Sequence, residues 1–198
     1  MEVILASTSP RRKELLTVYG FPFKVVSSGY EEPSAPTIPI SVPDYVKDLA
    51  YQKAAEVAGR SSNCLVIGAD TLVCDDNEFS LVFGKPVNAD DAAKMLRWLS
   101  GRTHRVYTGV SVIQVGETGA ERACITDAVV TRVTFRALSE KHIQRYISTD
   151  EPFDKAGSYG AQGYAAQFID RIEGDYFNVV GLPLSRLGMM LESLGFDW

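Results

Sequence analysis

The stretch that most constrains this chain is Leu65-Val66-Ile67-Gly68-Ala69-Asp70-Thr71-Leu72-Val73. Its nearly continuous apolar character predicts a strand buried on both faces, as at the centre of a sheet. Asp70 sits in the middle of it, and an isolated buried carboxylate is expensive, so it needs a partner. Two readings fit. Asp70 is either a structural aspartate bonded to backbone N–H groups at a strand end, or a site residue with space left beside it by Gly68 and Ala69.

The rest of the chain supplies strands and helices in alternation. Val3, Ile4 and Leu5 read as the end of a buried strand, followed by a helix that Ser9 caps, Pro10 opens and Gly20 closes. A short strand is expected over 21–28, and then Pro33, Pro36, Pro39 and Pro43 exclude helix or central strand and suggest an extended loop or flap. Apolar residues recur at helical spacing over 44–58, with Lys53 near the apolar stripe, where it either snorkels or serves a site. A turn over 74–80 leads to a strand at 81–83 and the shaped loop Gly84-Lys85-Pro86. Asn88 caps a helix over 89–99. Strands over 105–115 and 122–135 flank the hairpin turn Gly116-Glu117-Thr118-Gly119. Ser139 caps a short helix, a Gly-rich loop spans 151–163, a strand is expected over 167–172, and Pro183 opens a last helix. The pattern predicts one α/β domain over 1–198 with a mixed sheet flanked by helices.

The start of the first helix carries a local conflict. Helix N-termini present unpaired N–H groups and partial positive charge, yet Arg11 and Arg12 occupy the first turn. Ser7, Thr8 and Ser9 stand just before it. Two arginines there make sense beside an anion, and phosphate matches their planar fork of donors; two solvated surface arginines are the plainer alternative.

Composition narrows the function classes. A net charge of -5 argues against binding nucleic acid or an acidic membrane. No apolar run approaches the roughly 20 residues of a membrane span. No signal or transit pattern precedes the first strand, so a cytoplasmic protein is expected. Cys64, Cys74 and Cys124 are widely spaced, which suggests neither a disulfide framework nor a zinc site. With His104 and His142 the only imidazoles, a bound metal would be a hard cation held by oxygens.

No Walker A sequence and no G-x-G-x-x-G after a strand is present, although Gly157, Gly160 and Gly163 are spaced somewhat like a glycine-rich phosphate loop. What remains is a set of acids (Glu31, Glu32, Asp70, Asp154) and cations (Arg11, Arg12, Lys53, Lys85, Lys155), nearly all at element ends. Such a mixture suits a magnesium–polyphosphate ligand, with carboxylates on the cation and arginine and lysine on the phosphoryl oxygens.

Taken together, LASTSPRRKELL (5–16), LAYQKA (49–54), GADTLV (68–73), GKP (84–86), LSGRTHRVYTGV (99–110), EPFDKAGSYGAQG (151–163) and GDYFNVVGLPL (174–184) resemble the Maf family of nucleotide pyrophosphatases. The resemblance covers almost the whole chain, with the blocks in order. It implies a two-lobed α/β fold with a central cleft, related to the inosine-triphosphate pyrophosphatases, and commonly a homodimer. It also implies Mg²⁺-dependent, alternatively Mn²⁺-dependent, hydrolysis of nucleoside triphosphates to monophosphate and pyrophosphate.

Carried over position by position, the resemblance gives Asp70 the family's catalytic aspartate, as proton acceptor, metal ligand or water-positioner. Arg12, Lys53 and Lys85 take phosphate-facing positions, Ser7 and Ser9 the phosphate-loop serines, and Glu32 the acid near the metal; Glu31 stands where the family usually has Asp. Arg11, Thr71 and Gln162, with Asp154-Lys155 retained, match the branch resembling dTTP/UTP enzymes, with CTP and modified pyrimidines as further candidate substrates; a 7-methyl-GTP pyrophosphatase is the alternative that these three positions disfavour. A Gln amide can donate to O4 and accept from N3–H of uracil or thymine, whereas a Glu would suit a guanine edge. A different class remains open beside these, a nucleotide-binding regulator of cell division with little turnover.

Overall fold

The computed structural model describes residues 1–32, 41–76 and 81–197. Strands β1 (Glu2–Leu5), β2 (Phe23–Val25), β3 (Cys64–Asp75), β4 (Val82–Phe83), β5 (Thr103–Val115), β6 (Glu121–Phe135) and β7 (Ile169–Glu173) form one sheet. Its hydrogen-bonded order is β2-β1-β3-β5-β6-β7, with β4 paired to β3. Helices α1 (Pro10–Thr17), α2 (Val42–Ala58), α3 (Ala89–Leu99), α4 (Glu140–Ile147), α5 (Tyr176–Val180) and α6 (Leu184–Ser193) alternate with the strands. β1 runs parallel to both β2 and β3, while β4 on β3 and β7 on β6 are antiparallel, so the sheet is mixed as expected.

The long apolar run forms β3, and Cys64 through Asp70 are all buried. The strand continues through Cys74 and Asp75, where a turn was expected. Residues 77–80 of that expected turn, and 33–40 of the expected flap, lie outside the described residues.

The chain divides into two compact units. The first comprises Met1–Asp70, Thr108–Val129 and Gly181–Trp198, and its core includes Ile4, Ala54, Val57, Val66, Ile113 and Val115. The second comprises Thr71–Tyr107 and Val130–Val180. Phe83, Leu96, Phe135, Tyr146, Tyr159 and Phe168 dominate its core, where aromatic rings meet mainly edge to face. Burying a side chain of this size stabilises by about 1.5–3 kcal/mol relative to exposing it.

Several boundaries differ from the periodicity reading, each for a local reason. Helix α2 starts at Val42, capped by Ser41, and Pro43 lies in its first turn, where a missing N–H costs nothing. β2 is three residues long instead of spanning 21–28. The Gly-rich loop contains two short 3₁₀ turns, Glu151–Asp154 and Ala156–Ser158. Another 3₁₀ turn, Tyr164–Phe168, delays β7 to Ile169. Helix α5 is too short at five residues for periodicity to reveal. The three cysteines are free thiols. Among the described residues, no helix is long and apolar enough to cross a membrane.

Candidate active site

In the first unit, two glycines allow helix α2 to lie in backbone contact with the sheet. A Cβ on Gly68 of β3 would stand 2.3 Å from the carbonyl oxygen of Ala50, and one on Gly109 of β5 would stand 2.0 Å from that of Val46. Only glycine fits at either place. Asp70 follows Gly68 by two residues and so shares its strand face. Lys53, between Ala50 and Ala54 on α2, reaches Asp70 with Nζ 2.5 Å from Oδ1. The same ammonium lies 2.5 Å from Oε1 of Glu32. Lys53 and Asp70 are nearly enclosed, with side-chain exposures of 14% and 10%, whereas Glu32 is about half exposed at 49%. The partner that Asp70 requires is therefore a lysine ammonium. Leaving such a carboxylate without it would cost about 3–5 kcal/mol.

Helix α1 contributes the second set of donors. Ser9 caps it, its hydroxyl accepting from the Arg12 N–H at 3.5 Å, and its first turn contains no acid. Arg12 donates through Nε to the Gly181 carbonyl (2.9 Å) and through Nη1 to Ser7 Oγ (3.4 Å), which fixes its guanidinium beside the helix start. Burial lowers the Arg12 pKa; Asp70 opposes this, Arg11 adds to it, and Glu32 opposes it again. Ser7, Ser9, Arg11, Arg12, Glu32, Lys53 and Asp70 thus all belong to the first unit, and Arg12 feels the charge of both carboxylates.

Sequence reasoning missed the residues that hold this cluster in place. Glu56 accepts the Gly29 N–H at 2.9 Å and Arg60 Nε at 3.0 Å, and Arg60 Nη2 donates to the Ser27 carbonyl at 2.7 Å. They pin the segment leading to Glu31 and Glu32 against α2. Lys53, Glu56 and Arg60 follow i, i+3, i+7 spacing, a one-face signal legible in the sequence. Tyr45, on the same helix, has its phenol pKa raised by burial and then by Glu32 and Asp70.

Thr71, Lys85, Asp154, Lys155 and Gln162 belong to the second unit. Thr71 and Gln162 are half-buried, and Lys85 is exposed. The Lys155 ammonium turns back into its own loop, donating to the Glu151 carbonyl (2.5 Å) and to Asp154 Oδ1 (2.6 Å). The glycines of this segment do not form an open phosphate cradle. A Cβ would meet Val73 at Gly157, Lys155 at Gly160 and Glu151 at Gly163, so the spacing answers to packing. His104 is fully buried, its Nε2 2.7 Å from the Tyr159 hydroxyl.

Residues 2–194 match the family of Maf-like proteins. The chain belongs to the Maf family. Among curated relatives, the dTTP/UTP pyrophosphatase of Alkaliphilus oremlandii is 50% identical over 193 residues, covering 97% of this chain and 95% of that protein. The dTTP/UTP pyrophosphatase of Bacillus cereus is 46% identical over 200 residues, covering 99% of this chain and 97% of that one. Among solved structures, a HAM1 protein from Coxiella burnetii shares the fold at a TM-score of 0.50 and 16% identity, over 98% of this chain and 96% of that one.

Proposed function

We propose that this Maf protein hydrolyses nucleoside triphosphates, dTTP and UTP foremost, to the monophosphate and pyrophosphate. The observation that carries the reading is the Lys53 ammonium held between Asp70 and Glu32, with Arg12 fixed at the start of α1. The names of the curated relatives support the choice of substrate.

In this reading, the α1 N-terminus, Ser7, Ser9, Arg11 and Arg12 hold phosphoryl oxygens, with Arg12 offering donors in a planar fork. Water attacks the α-phosphorus, the bond from that phosphorus to the bridging oxygen breaks, and pyrophosphate leaves with the bridging oxygen. Asp70 orients the water or takes its proton, while Lys53 and Lys85 offset charge on the oxygens as it develops. Arg11, Thr71 and Gln162 set the pyrimidine preference, with the Gln162 amide reading the O4 and N3–H edge.

Glu32 and Asp70 suit a hard divalent cation, Mg²⁺ or alternatively Mn²⁺. Both carboxylates approach one point, now taken by an ammonium, and magnesium sites typically use one or two carboxylates completed by phosphate and water. Bound there, the cation would neutralise phosphate charge. A cytoplasmic homodimer that binds neither nucleic acid nor membrane completes the reading and rests on the family resemblance and charge.

The direct test is Asp70→Asn. Turnover of UTP should fall by several orders of magnitude with the fold retained; near-normal turnover would remove Asp70 from the chemistry.

A further inference from the structure

The segment carrying Gln162 is tied at one point. The Glu151 carboxylate accepts the Tyr164 N–H at 2.9 Å, the Ala165 N–H at 3.5 Å and the Tyr146 hydroxyl at 3.2 Å. Its own carbonyl accepts the Lys155 ammonium. Between the anchored N–H groups and Gln162 lies Gly163, at φ 83 and ψ -152, a backbone conformation open essentially to glycine alone. A Cβ there would come within 2.9 Å of the Glu151 carboxylate. Tyr146 in turn stacks on Tyr164, with ring centroids 5.7 Å apart, and meets Phe168 edge-on at 5.3 Å. The carboxylate therefore ties down the backbone immediately after Gln162, and the aromatic layer packs on Tyr164 of the same segment.

We propose that Glu151 is a positioning residue for base selection: it locks the Gly163 turn and so sets the direction in which Gln162 presents its amide. Asp154 and Lys155 join the same brace, with the Lys155 ammonium donating to the Glu151 carbonyl and to Asp154. An amide reads a base edge only when donor and acceptor are aligned, and a hydrogen bond weakens steeply once it bends. Releasing the turn should therefore cost discrimination before it costs chemistry. The inference rests on the proposed assignment of Gln162 to the base.

The test compares kcat and KM for UTP, GTP and 7-methyl-GTP in the wild type and two variants, with melting temperatures alongside. Glu151→Gln is isosteric and keeps one acceptor for the Tyr164 N–H, but it turns an amide NH₂ toward the remaining donors. Gly163→Ala strains the same turn and crowds the Glu151 carboxylate while leaving its charge in place. Both should raise KM for UTP and lower the UTP-to-GTP ratio of kcat/KM by about tenfold, with kcat for UTP changing less than KM. An equal loss on all three nucleotides, or a lower melting temperature with the ratio unchanged, would make Glu151 a purely structural staple and overturn the proposal. If Glu151→Gln fails to fold, Gly163→Ala alone decides by the same ratio. A wild type showing no preference for UTP would instead refute the assignment of Gln162, a result visible before either variant is measured.

Discussion

Gly68→Ala tests whether the approach of α2 to β3 builds the site. The added Cβ would lie 2.3 Å from the Ala50 carbonyl oxygen, 2.8 Å from the Ala54 nitrogen and 2.9 Å from its Cβ. Two of these are backbone atoms, which cannot swing aside as a side-chain tip can. Restoring ordinary contact requires α2 to retreat by about 1 Å, and Lys53 travels with it. Overpacking of this kind costs about 1–3 kcal/mol. For a protein of this size, that lowers the melting temperature by roughly 2–12 °C. A 1 Å misplacement of reacting groups can cost about 100-fold in rate, so the Lys53–Asp70 contact of 2.5 Å should translate the shift into lost turnover. Gly59→Ala is the control: Gly59 ends the same helix at φ -61, and a Cβ there meets nothing closer than 3.4 Å. The assays are thermal melting and pyrophosphate release from UTP. A Gly68→Ala protein that melts and turns over like the wild type would refute the reasoning.

Two further outcomes are expected. Burial holds the His104 imidazole pKa down to about 3, with Asp76 opposing it weakly, so His104 stays neutral in the fold while the unfolded chain protonates it near 6.5. Its contribution is fully present above about pH 6.5 and is lost as pH falls toward 3, amounting to ~2 kcal/mol by pH 5; denaturant titrations at pH 7 and pH 5 should show a smaller difference in His104→Gln by that amount. EDTA should stop pyrophosphate release and added Mg²⁺ restore it; full turnover after metal removal would exclude the metal role of Glu32 and Asp70.

Much of the fold was legible because the signals were local. Helix α3 matches its expected span of 89–99, where the Asn88 cap and the apolar spacing agree. Ser9 and Pro10 marked the start of α1, and the misplaced arginines of its first turn pointed to the cluster that includes Arg12. Lys53 and Asp70 could be flagged singly, but their contact depends on Gly68 and Gly109 admitting a helix backbone, and no periodicity encodes that approach. The Gly181 carbonyl under Arg12 comes from the far end of the chain, beyond any local pattern. In the second unit, the Gly157, Gly160 and Gly163 spacing could not be read from sequence alone, since a glycine placed for packing looks the same there as one placed for a phosphate.

The most direct measurement follows the products from a panel of nucleoside triphosphates. Incubated with the protein and Mg²⁺, dTTP and UTP should give monophosphate and pyrophosphate faster than the other nucleotides. Release from 7-methyl-GTP alone would contradict the pyrimidine assignment, and tight binding of UTP without any pyrophosphate release would contradict the enzyme.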